Sequence, residues 1–493
     1  MYSDADAAAP HVALADVAIR IGPAPARESY LNIASLIDAV HGSGAQAVHP
    51  GYGFLSESAA FARAVEEAGA TFVGPPAATQ EALGNKLAAR RAVADAGVPI
   101  VPGLIVPLEA GQVERVSTDD SGPGEVPPGD AALGMAAVGY PAMLKAAAGG
   151  GGRGMRRVDS HKELARVMTA ARREAAAAFG DGALYLERLI SPARHVEVQL
   201  LGDQHGALAV LGERECSVQR RHQKLVEETP SPAVTPTIRD ALFASARRVA
   251  ATVDFHNAAT VEFLLDAEGN HYFLEMNTRL QVEHGVTELV MGLDIVAWQI
   301  RVAAGERLDD SVLGVEPRGH AIEARVYAED PYRDFQPVGG TVTTWRPPEG
   351  PGIRVDGAVQ AGRPLTPEYD PLLAKLMVHA ADRPAALGRL RRALDECLIG
   401  GLQTDLGFHR WLVDDDAFAA GAYDTGLVSE RWRGGPALKP DELGLAALAA
   451  IAARTEALGT RGMAVSGGRG AAGRRRAGDS AWAQLARDEA VDR

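Results

Sequence analysis

The sequence predicts a mixed α/β and α+β protein built from about three domains. Its 493 residues set that number, because one domain typically takes about 150 residues. Strands and helices alternate between residues 45 and 96, which is typical of a parallel α/β sheet. Residues 258–276 instead predict a β-hairpin, and residues 318–432 mix strands with helices, so the later part of the chain is expected to be α+β.

The predicted elements of the first region are separated by clear turn signals. Residues 45–48 and 70–73 are short apolar strands that end at the turns HPGYG and GPP. A single helix is expected over residues 78–96, because Gly97 follows it directly and glycine commonly ends a helix. Residues 119–130 are rich in Gly, Pro, Ser and acidic residues, which predicts an exposed loop or insertion.

The middle region is predicted to contain a glycine-rich hairpin followed by a helix and further strands. Strands at 141–146 and 154–158 flank the glycine run 149–152. Ser160 and Glu163 have capping-box spacing at the start of a helix that extends to about residue 179. The remaining predicted elements are strands at 196–201 and 207–211 and a helix at 237–253.

Composition excludes several classes of protein. Lys+Arg is 50 against Asp+Glu 64, a net charge of −14, so the chain is a poor candidate for non-specific nucleic-acid binding. No apolar run approaches the roughly 20 residues that span a bilayer, and the first residues lack a secretory signal pattern. Two cysteines do not make a disulfide framework, so we expect a cytoplasmic protein. From the net charge and the lack of a long apolar run, we expect no nucleic-acid and no membrane partner. Residues 461–478 are basic and low in large apolar groups, which predicts disorder.

Two acidic residues in the predicted hairpin are the first candidate site. If residues 267–270 form a four-residue loop, Asp266 pairs with His271 and Glu262 then lies directly opposite Glu275. Opposed side chains have Cβ atoms about 4.5–5.5 Å apart, so two carboxylates there repel unless a cation lies between them. A hard cation such as Mg²⁺ takes carboxylate oxygens and keeps positions for water and phosphate.

The second strand of the hairpin is predicted to continue this polar face. Residues 275, 277, 279, 281 and 283 are all polar, and a period of two puts them on one side of an extended chain. A half-buried strand with one solvated face is the alternative. The opposed acids beside Asn277 and Arg279 favour a site for metal and phosphate.

Glycine and lysine residues mark a second candidate site. The segment KAAAGGGGRGM at 145–155 fits neither a Walker A loop nor a dinucleotide turn, because no helix follows it directly. A glycine hairpin tip can donate backbone N–H groups to phosphates, although a flexible surface turn is the alternative. Lysine occurs only at positions 86, 145, 162, 224, 375 and 439, which hints that a compact ammonium is needed there.

The segment 214–224 is dense in hydrogen-bond donors and is predicted to form a loop after a strand. A solvated charged turn is the alternative for this segment. Cys216, His195 and His222, taken one at a time, are more typical of structural residues than of catalytic ones.

Taken together, these segments resemble the biotin carboxylase family of ATP-grasp enzymes. The resemblance covers about residues 2–430. The matching segments are HPGYGFLSE (49–57), GNK (84–86), KAAAGGGGRGM (145–155), RHVEVQ (194–199), ERECSVQRRHQKLVEE (213–228), VEFLLD (261–266), EMNTRLQVEH (275–284), EARVYAEDP (323–331), GIRVD (352–356) and YDPLLAKL (369–376).

The resemblance implies an ATP-grasp fold and a reaction. The implied parts are a truncated N-terminal parallel α/β domain at 1–84, an ATP-grasp domain at 85–320 with a small lid at about 105–190, and a mixed C-terminal domain at 321–435. Residues 436–493 form a poorly matched, partly disordered tail. In the implied reaction ATP phosphorylates bicarbonate to carboxyphosphate, which decays to CO₂ and phosphate. N1′ of biotin, carried on another domain or subunit, then captures CO₂.

The resemblance also implies a role for individual residues. Lys224, Arg279 and Val282 would bind bicarbonate, Glu283 would be the base that deprotonates it, and Arg354 would stabilise the biotin enolate. Mg²⁺ or Mn²⁺ would be held by Glu262, Glu275 and Asn277. ATP would be held by Lys86, Lys145, Gly151, Gly152, Glu187, Arg188, Leu189, Ile190, His195 and His222, with Glu262 and Glu275 adjoining.

The implied partners are a biotin carboxyl carrier protein or domain and a carboxyltransferase subunit of an acyl-CoA carboxylase, and a homodimer is expected. The family normally begins with an ANRGEIA-like strand and helix that the text from Met1 does not match, so an incomplete first sheet is expected. Asn85 and Gly285 replace the Asp and Pro usual in the family. Two alternatives stay open: another ATP-grasp ligase, such as a carbamoyl-phosphate-forming one, and an inactive remnant that serves only assembly.

Overall fold

The computed structural model describes residues 1–103, 138–146, 155–179 and 182–434. The predicted loop at 119–130, the glycine run with Gly151 and Gly152, and the tail 436–493 lie outside these ranges.

Strands and helices are numbered in chain order within the described ranges. The strands are β1 (Tyr2–Ser3), β2 (Arg20–Gly22), β3 (Ala47–Val48), β4 (Thr71–Phe72), β5 (Ala142–Ala146), β6 (Arg156–Val158), β7 (Leu184–Arg188), β8 (Ala193–Gly202), β9 (Leu208–Arg220), β10 (Gln223–Thr229), β11 (Asn257–Asp266), β12 (His271–Asn277), β13 (His320–Tyr327), β14 (Glu329–Asp330), β15 (Gln336–Pro337), β16 (Thr341–Val342), β17 (Thr344–Arg346), β18 (Ile353–Gly357), β19 (Arg363–Pro364), β20 (Leu372–Ala380) and β21 (Leu398–Gly400). The α-helices are α1 (Pro10–Leu14), α2 (Ile33–Ser43), α3 (Ala59–Glu67), α4 (Ala77–Gly84), α5 (Lys86–Asp95), α6 (His161–Phe179), α7 (Pro236–Ala250), α8 (His284–Met291), α9 (Ile295–Ala303), α10 (Asp310–Leu313), α11 (Arg383–Glu396), α12 (Leu406–Val413), α13 (Asp416–Ala419) and α14 (Leu427–Arg431).

The N-terminal region contains parallel strand pairs, as predicted. Strand β3 pairs with β4 and β1 pairs with β2, both in parallel. Helices α2 and α3 pack Leu36, Val40, Phe61 and Val65 against Phe72 of β4, which buries a small apolar core. Helix-covered parallel pairs of this kind are expected where strands and helices alternate.

The prediction of a single helix over residues 78–96 is wrong, because the chain forms two helices there. Helix α4 ends at Gly84, and α5 begins at Lys86. Between them Asn85 adopts an extended conformation, and its side chain accepts a hydrogen bond from the Ala88 backbone N–H at 3.1 Å. Asparagine is a preferred N-cap and glycine a poor helix former, so the break follows from these two residues. Lys86 thereby becomes the first residue of a new helix.

A small antiparallel sheet in the order β6-β5-β7 carries Lys145. Strands β5 and β6 and helix α6 agree with the prediction, whereas β7 was not predicted. Leu144 and Leu186 of the sheet pack against Leu164, Met168 and Ala171 of α6. The sheet is thus covered on one face by a helix, which leaves alternate residues such as Lys145 on the other face.

The largest sheet is antiparallel throughout and has the strand order β12-β11-β8-β9-β10-β13-β20-β18. Pairing of β10 with β13 carries this sheet across residue 320, where the sequence predicts a domain boundary. Helices α11 and α12 pack on the β13 and β20 side and bury residues such as Leu390 and Phe408. Among the described residues, none of the helices has the length and hydrophobicity needed to cross a membrane.

Candidate active site

The opposed acids of the predicted hairpin lie where the sequence places them. Glu262 of β11 pairs directly with Glu275 of β12, which confirms the prediction. The predicted turn register is wrong, however, because His271 pairs with Leu265 and not with Asp266. A register shift beside Glu262 adds one residue to β12, and this bulge compensates for a loop one residue longer than predicted.

Glu262 is surrounded by donors. Its Oε2 lies 2.8 Å from His195 Nε2, while its Oε1 accepts from Asn277 Nδ2 at 2.8 Å and Lys224 Nζ at 3.1 Å. Gln281 Nε2 lies 3.3 Å from the same oxygen. Burial opposes ionisation of Glu262, but Lys224 and His195 outweigh it and hold the pKa of this carboxyl below its usual range. Glu262 is therefore a carboxylate at neutral pH.

Glu275 and Glu187 each hold one of the predicted ATP-binding lysines. Lys86 Nζ lies 2.8 Å from Glu275 Oε2, and Lys145 Nζ lies 2.5 Å from Glu187 Oε2. Arg90 of α5, a residue that the sequence did not single out, contacts the other Glu187 oxygen at 2.6 Å. Burial would lower the pKa of Lys86, but the Glu275 carboxylate raises it above the ordinary value, so this ammonium stays charged.

The predicted polar strand face beyond Asn277 is wrong. Strand β12 ends at Asn277, residues 278–283 form an irregular turn, and helix α8 begins at His284. The last pair between β11 and β12 joins Thr260 to Asn277, and the chain leaves the sheet after this pair. Arg279 and Glu283 nevertheless line the same cavity as the opposed acids, so they share a site without sharing a strand.

Lys224 contacts three buried carboxylates. Its Nζ lies 2.6 Å from Glu197, 3.1 Å from Glu262 and 2.6 Å from Glu283. Each acid also has a second basic neighbour: Arg214 for Glu197, His195 for Glu262 and Arg325 for Glu283. Buried charges are tolerated when they are paired and hydrogen-bonded in this way.

The loop predicted at 214–224 is wrong, because these residues form a β-hairpin. Strand β9 runs to Arg220, and β10 begins at Gln223. The two tip residues, Arg221 and His222, have φ values of 49° and 67°, the conformation of a tight two-residue turn that follows the twist of the strands. Burial and nearby Lys145 lower the pKa of His222, which favours a neutral imidazole at the cavity.

Arg325 is a site residue that the sequence reasoning missed. It donates to Glu283 Oε2 at 2.8 Å and to Glu227 Oε1 at 2.6 Å, and it lines the cavity. Its signal was present in the EARVYAEDP segment, whose alternate residues share one strand face. Arg354 instead pairs with Glu288 and Asp356 at 2.6 and 2.8 Å.

One cavity of about 1370 Å³ collects the predicted residues. Tyr185, Leu274 and Met276 give it apolar wall, while acids and lysines give it charged wall. Arg354 is not among the described residues that line it, and Gly151 and Gly152 lie outside the described ranges. The predicted site residues that line it are Lys86, Lys145, Glu187, Arg188, Leu189, Ile190, His195, His222, Lys224, Glu262, Glu275, Asn277, Arg279, Val282 and Glu283.

The donor set of this cavity fits a nucleotide with a hard cation. Carboxylate and amide oxygens are the protein ligands that Mg²⁺ takes, and lysines neutralise phosphate oxygens. Among the described residues, two buried groups lie close enough together to hold an ion: His195 with Glu197 and Glu262, and Cys216 with Glu197 and Glu283. Those acids are bound by Lys224, Arg214 and Arg325. Glu275, whose side chain is 27% exposed, is therefore a more accessible oxygen donor than these buried acids.

Three family models match consecutive parts of the chain. Residues 1–79 match the biotin carboxylase N-terminal domain, and residues 323–430 match the biotin carboxylase C-terminal domain. Residues 85–311 match the ATP-binding domain of the carbamoyl-phosphate synthase L chain.

Relatives and solved structures agree with these models. The chain is 45% identical over 430 residues to a biotin carboxylase from Nostoc, covering 87% of this chain and 92% of that protein. It is 46% identical over 429 residues to the soybean (Glycine max) mitochondrial methylcrotonoyl-CoA carboxylase subunit alpha, covering 87% of this chain but only 56% of that longer protein.

Two solved structures share the fold. A biotin carboxylase from Campylobacter jejuni in a β,γ-ATP complex matches with a TM-score of 0.81 at 39% identity, over 87% of this chain and 92% of that one. The biotin carboxylase domain dimer of a Hydrogenobacter thermophilus 2-oxoglutarate carboxylase, bound to MgADP, ADP and bicarbonate, matches with a TM-score of 0.81 at 40% identity, over 89% and 93%. From its sequence, its fold and the residues gathered in its cavity, the chain belongs to the biotin carboxylase family.

Proposed function

We propose that this chain carboxylates biotin with ATP and bicarbonate, as the biotin carboxylase component of an acyl-CoA carboxylase. The proposal depends on one observation. A single cavity brings the opposed acids Glu262 and Glu275 together with Lys86, Lys224 and Glu283. An acid pair with lysines suits phosphoryl transfer, and a separate acid held by its own cations suits an acid–base step on an anionic acceptor.

Two lysines that contact carboxylates support the proposal that one end of the cavity binds ATP. Lys86 and Lys145 would turn their ammonium groups from Glu275 and Glu187 to the phosphate oxygens of ATP. A divalent cation, which Glu262, Glu275 and Asn277 would hold, supplies further charge neutralisation on the β- and γ-phosphates when bound.

Lys224, Arg279 and Glu283, which line the same cavity, support the proposal that bicarbonate binds beside the nucleotide. A bicarbonate oxygen would form a bond to the γ-phosphorus as the bond from that phosphorus to ADP breaks, giving carboxyphosphate and ADP. Burial opposes ionisation of Glu283, but Lys224 and Arg325 outweigh burial and hold its pKa well below the ordinary value, so Glu283 is ionised and available to accept the bicarbonate proton. When Lys224 turns to the bound anion, Glu283 loses part of that stabilisation and becomes a stronger base.

For the biotin step, the geometry favours Arg325 over Arg354. Arg325 lines the cavity beside Glu283, whereas Arg354 is engaged by Glu288 and Asp356. Carboxyphosphate would release CO₂ and phosphate, N1′ of biotin would bond to the CO₂ carbon, and its proton would pass to the phosphate. The enolate oxygen of biotin that develops in this step needs a fixed cation, which Arg325 would provide.

The partners are proposed on the same grounds. A biotin carrier and a carboxyltransferase would be separate polypeptides or domains, as the longer length of the soybean relative suggests. A homodimer is supported by the dimeric Hydrogenobacter neighbour. A cytoplasmic location remains a prediction.

ATP cleavage measured with bicarbonate, with and without free biotin, tests the proposal. We expect phosphate release that requires bicarbonate and rises with biotin. Bicarbonate-dependent turnover that ignores biotin and yields carbamoyl phosphate with ammonia would favour the carbamoyl-phosphate-forming alternative, which the family model over residues 85–311 keeps in view. Nucleotide binding without any turnover would favour the assembly-only alternative.

A further inference from the structure

Lys375 is a buried lysine at the site to which the proposed function gives no role. It is one of only six lysines in the chain, and three of the others, Lys86, Lys145 and Lys224, line the cavity. Its residue is 3% exposed on β20, directly opposite Arg325 of β13. Burying one cation beside another is unfavourable unless each has partners, so the position calls for a specific contact.

The contacts of Lys375 lead to the turn that carries the proposed base. Its Nζ donates to the Val282 backbone carbonyl at 2.8 Å, across 93 residues of sequence. The same ammonium lies 3.4 Å from Asp356 Oδ2 and 5.8 Å from the centre of the Tyr52 ring. Asp356 offsets the charge at that longer distance, and the hydrogen bond itself goes to the turn.

The turn at residues 278–283 needs such a contact because it belongs to neither a strand nor a helix. Glu283 occupies the N-cap position of α8, yet its side chain does not cap the helix. It reaches instead to Lys224 and Arg325 at 2.6 and 2.8 Å. Arg325 thus holds the side chain of the turn, and Lys375, its neighbour on the next strand, holds the backbone one residue earlier.

We propose that Lys375 is a positioning residue that fixes the Val282 carbonyl and thereby the backbone that presents Val282 and Glu283 to bicarbonate. The inference rests on the proposed function, since it deepens the role of the same site. A compact ammonium on a four-carbon stem suits this task, because the side chain must extend from β20, beside Arg325 of β13, to the single Val282 carbonyl. Lys375 acts through the turn and does not itself touch substrate.

The test compares Lys375→Met with Lys375→Arg and with the matched control Lys162→Met. Lys162 is exposed on α6, away from the cavity lining. For Lys375→Met we expect kcat/KM for bicarbonate to fall about 10- to 100-fold, the scale of a hydrogen bond from a charged donor, with ATP affinity within about twofold of wild type. Lys375→Arg should recover only part of the loss, because its guanidinium restores a charged donor but not the compact ammonium, and Lys162→Met should behave as wild type.

Several results would overturn the inference. Unchanged bicarbonate kinetics in Lys375→Met, or an equal loss of ATP affinity, would show that Lys375 does not act on the turn. If Lys375→Met loses its fold by circular dichroism, Lys375→Gln carries the same test, because its amide is polar but one bond too short to reach the carbonyl. A wild-type chain without bicarbonate- and biotin-dependent ATP cleavage would instead count against the proposed function, which separates the two failures.

Discussion

We expect Glu323 to make folding stability depend on pH and its replacement by glutamine to weaken that dependence. The residue is fully buried on β13, directly opposite Glu227 of β10. Burial, with Glu227 and Glu283 nearby, raises the pKa of Glu323 to about 8 from its ordinary value of 4.5, although Lys375 and Arg325 oppose the rise. Neither Glu323 oxygen has a hydrogen-bond partner among the described residues, so the amide variant breaks no such contact there.

The sign of the effect follows from proton binding. Between pH 4.5 and about 8 the folded chain keeps a proton on Glu323 that the unfolded chain has released, so folded-state stability falls as pH rises through this window. Each unit of pKa is worth about 1.4 kcal/mol, which puts the cost of ionised Glu323 at about 5 kcal/mol above pH 8. Glu227 and Glu323 face each other across the two strands, so the charge of one raises the pKa of the other, and we expect about half of this figure, roughly 2–3 kcal/mol, to be measurable.

The assay is urea or thermal unfolding of wild type and Glu323→Gln at pH 5.5, 7 and 8.5. We expect the two proteins to be similar at pH 5.5 and the variant to be more stable by about 2–3 kcal/mol at pH 8.5. Glu268→Gln, at an exposed glutamate of the β11–β12 loop, is the control and should differ from wild type by less than about 0.5 kcal/mol at every pH. A difference between Glu323→Gln and wild type that stays constant across this range would refute the reasoning.

Three further predictions concern activity. Glu283→Gln should lower biotin-stimulated phosphate release by at least about 100-fold while nucleotide affinity, measured by equilibrium binding, stays within about twofold, and lost ATP affinity would contradict its role as base. Lys86→Met should raise KM for ATP about 10-fold or more in steady-state assays, because its ammonium faces Glu275 in the cavity, and an unchanged KM would remove it from the phosphate site. At saturating ATP and bicarbonate, Arg325→Lys should lower kcat/KM for free biotin at least about 10-fold and Arg354→Lys less than about threefold, and the reverse order would restore Arg354 to the biotin step.

Local sequence patterns were enough to predict the opposed acids. Glu262 and Glu275 lie on two strands joined by a short loop, so their pairing depends on counting residues across one turn. The predicted pairing is correct although the loop is one residue longer than predicted, because the bulge beside Glu262 compensates for the extra loop residue. The strands predicted at 45–48 and 70–73 were also confirmed, although each is shorter than predicted, at Ala47–Val48 and Thr71–Phe72, since short apolar runs between turn signals depend on nearby residues only.

The partners of the proposed base could not be predicted in the same way. Glu283 meets Arg325 across 42 residues and Lys224 across 59, through contacts that depend on β10 and β13 lying side by side. The sequence pattern put Glu283 on an extended strand, whereas the chain leaves the sheet after Asn277. Its place in the cavity therefore results from the turn before α8.

By itself the sequence determined the family, the alternation of elements in the first region and the opposed acids, and the family resemblance named fifteen of the residues that line the cavity. Only the tertiary structure decided that Arg325 faces the base, that Arg354 is engaged elsewhere, and that Lys375 holds the turn. The physical reason is that side-chain period and turn chemistry act over a few residues, whereas the order of strands in a sheet is set by burial of the whole core. Residues far apart in the chain become neighbours only through that order.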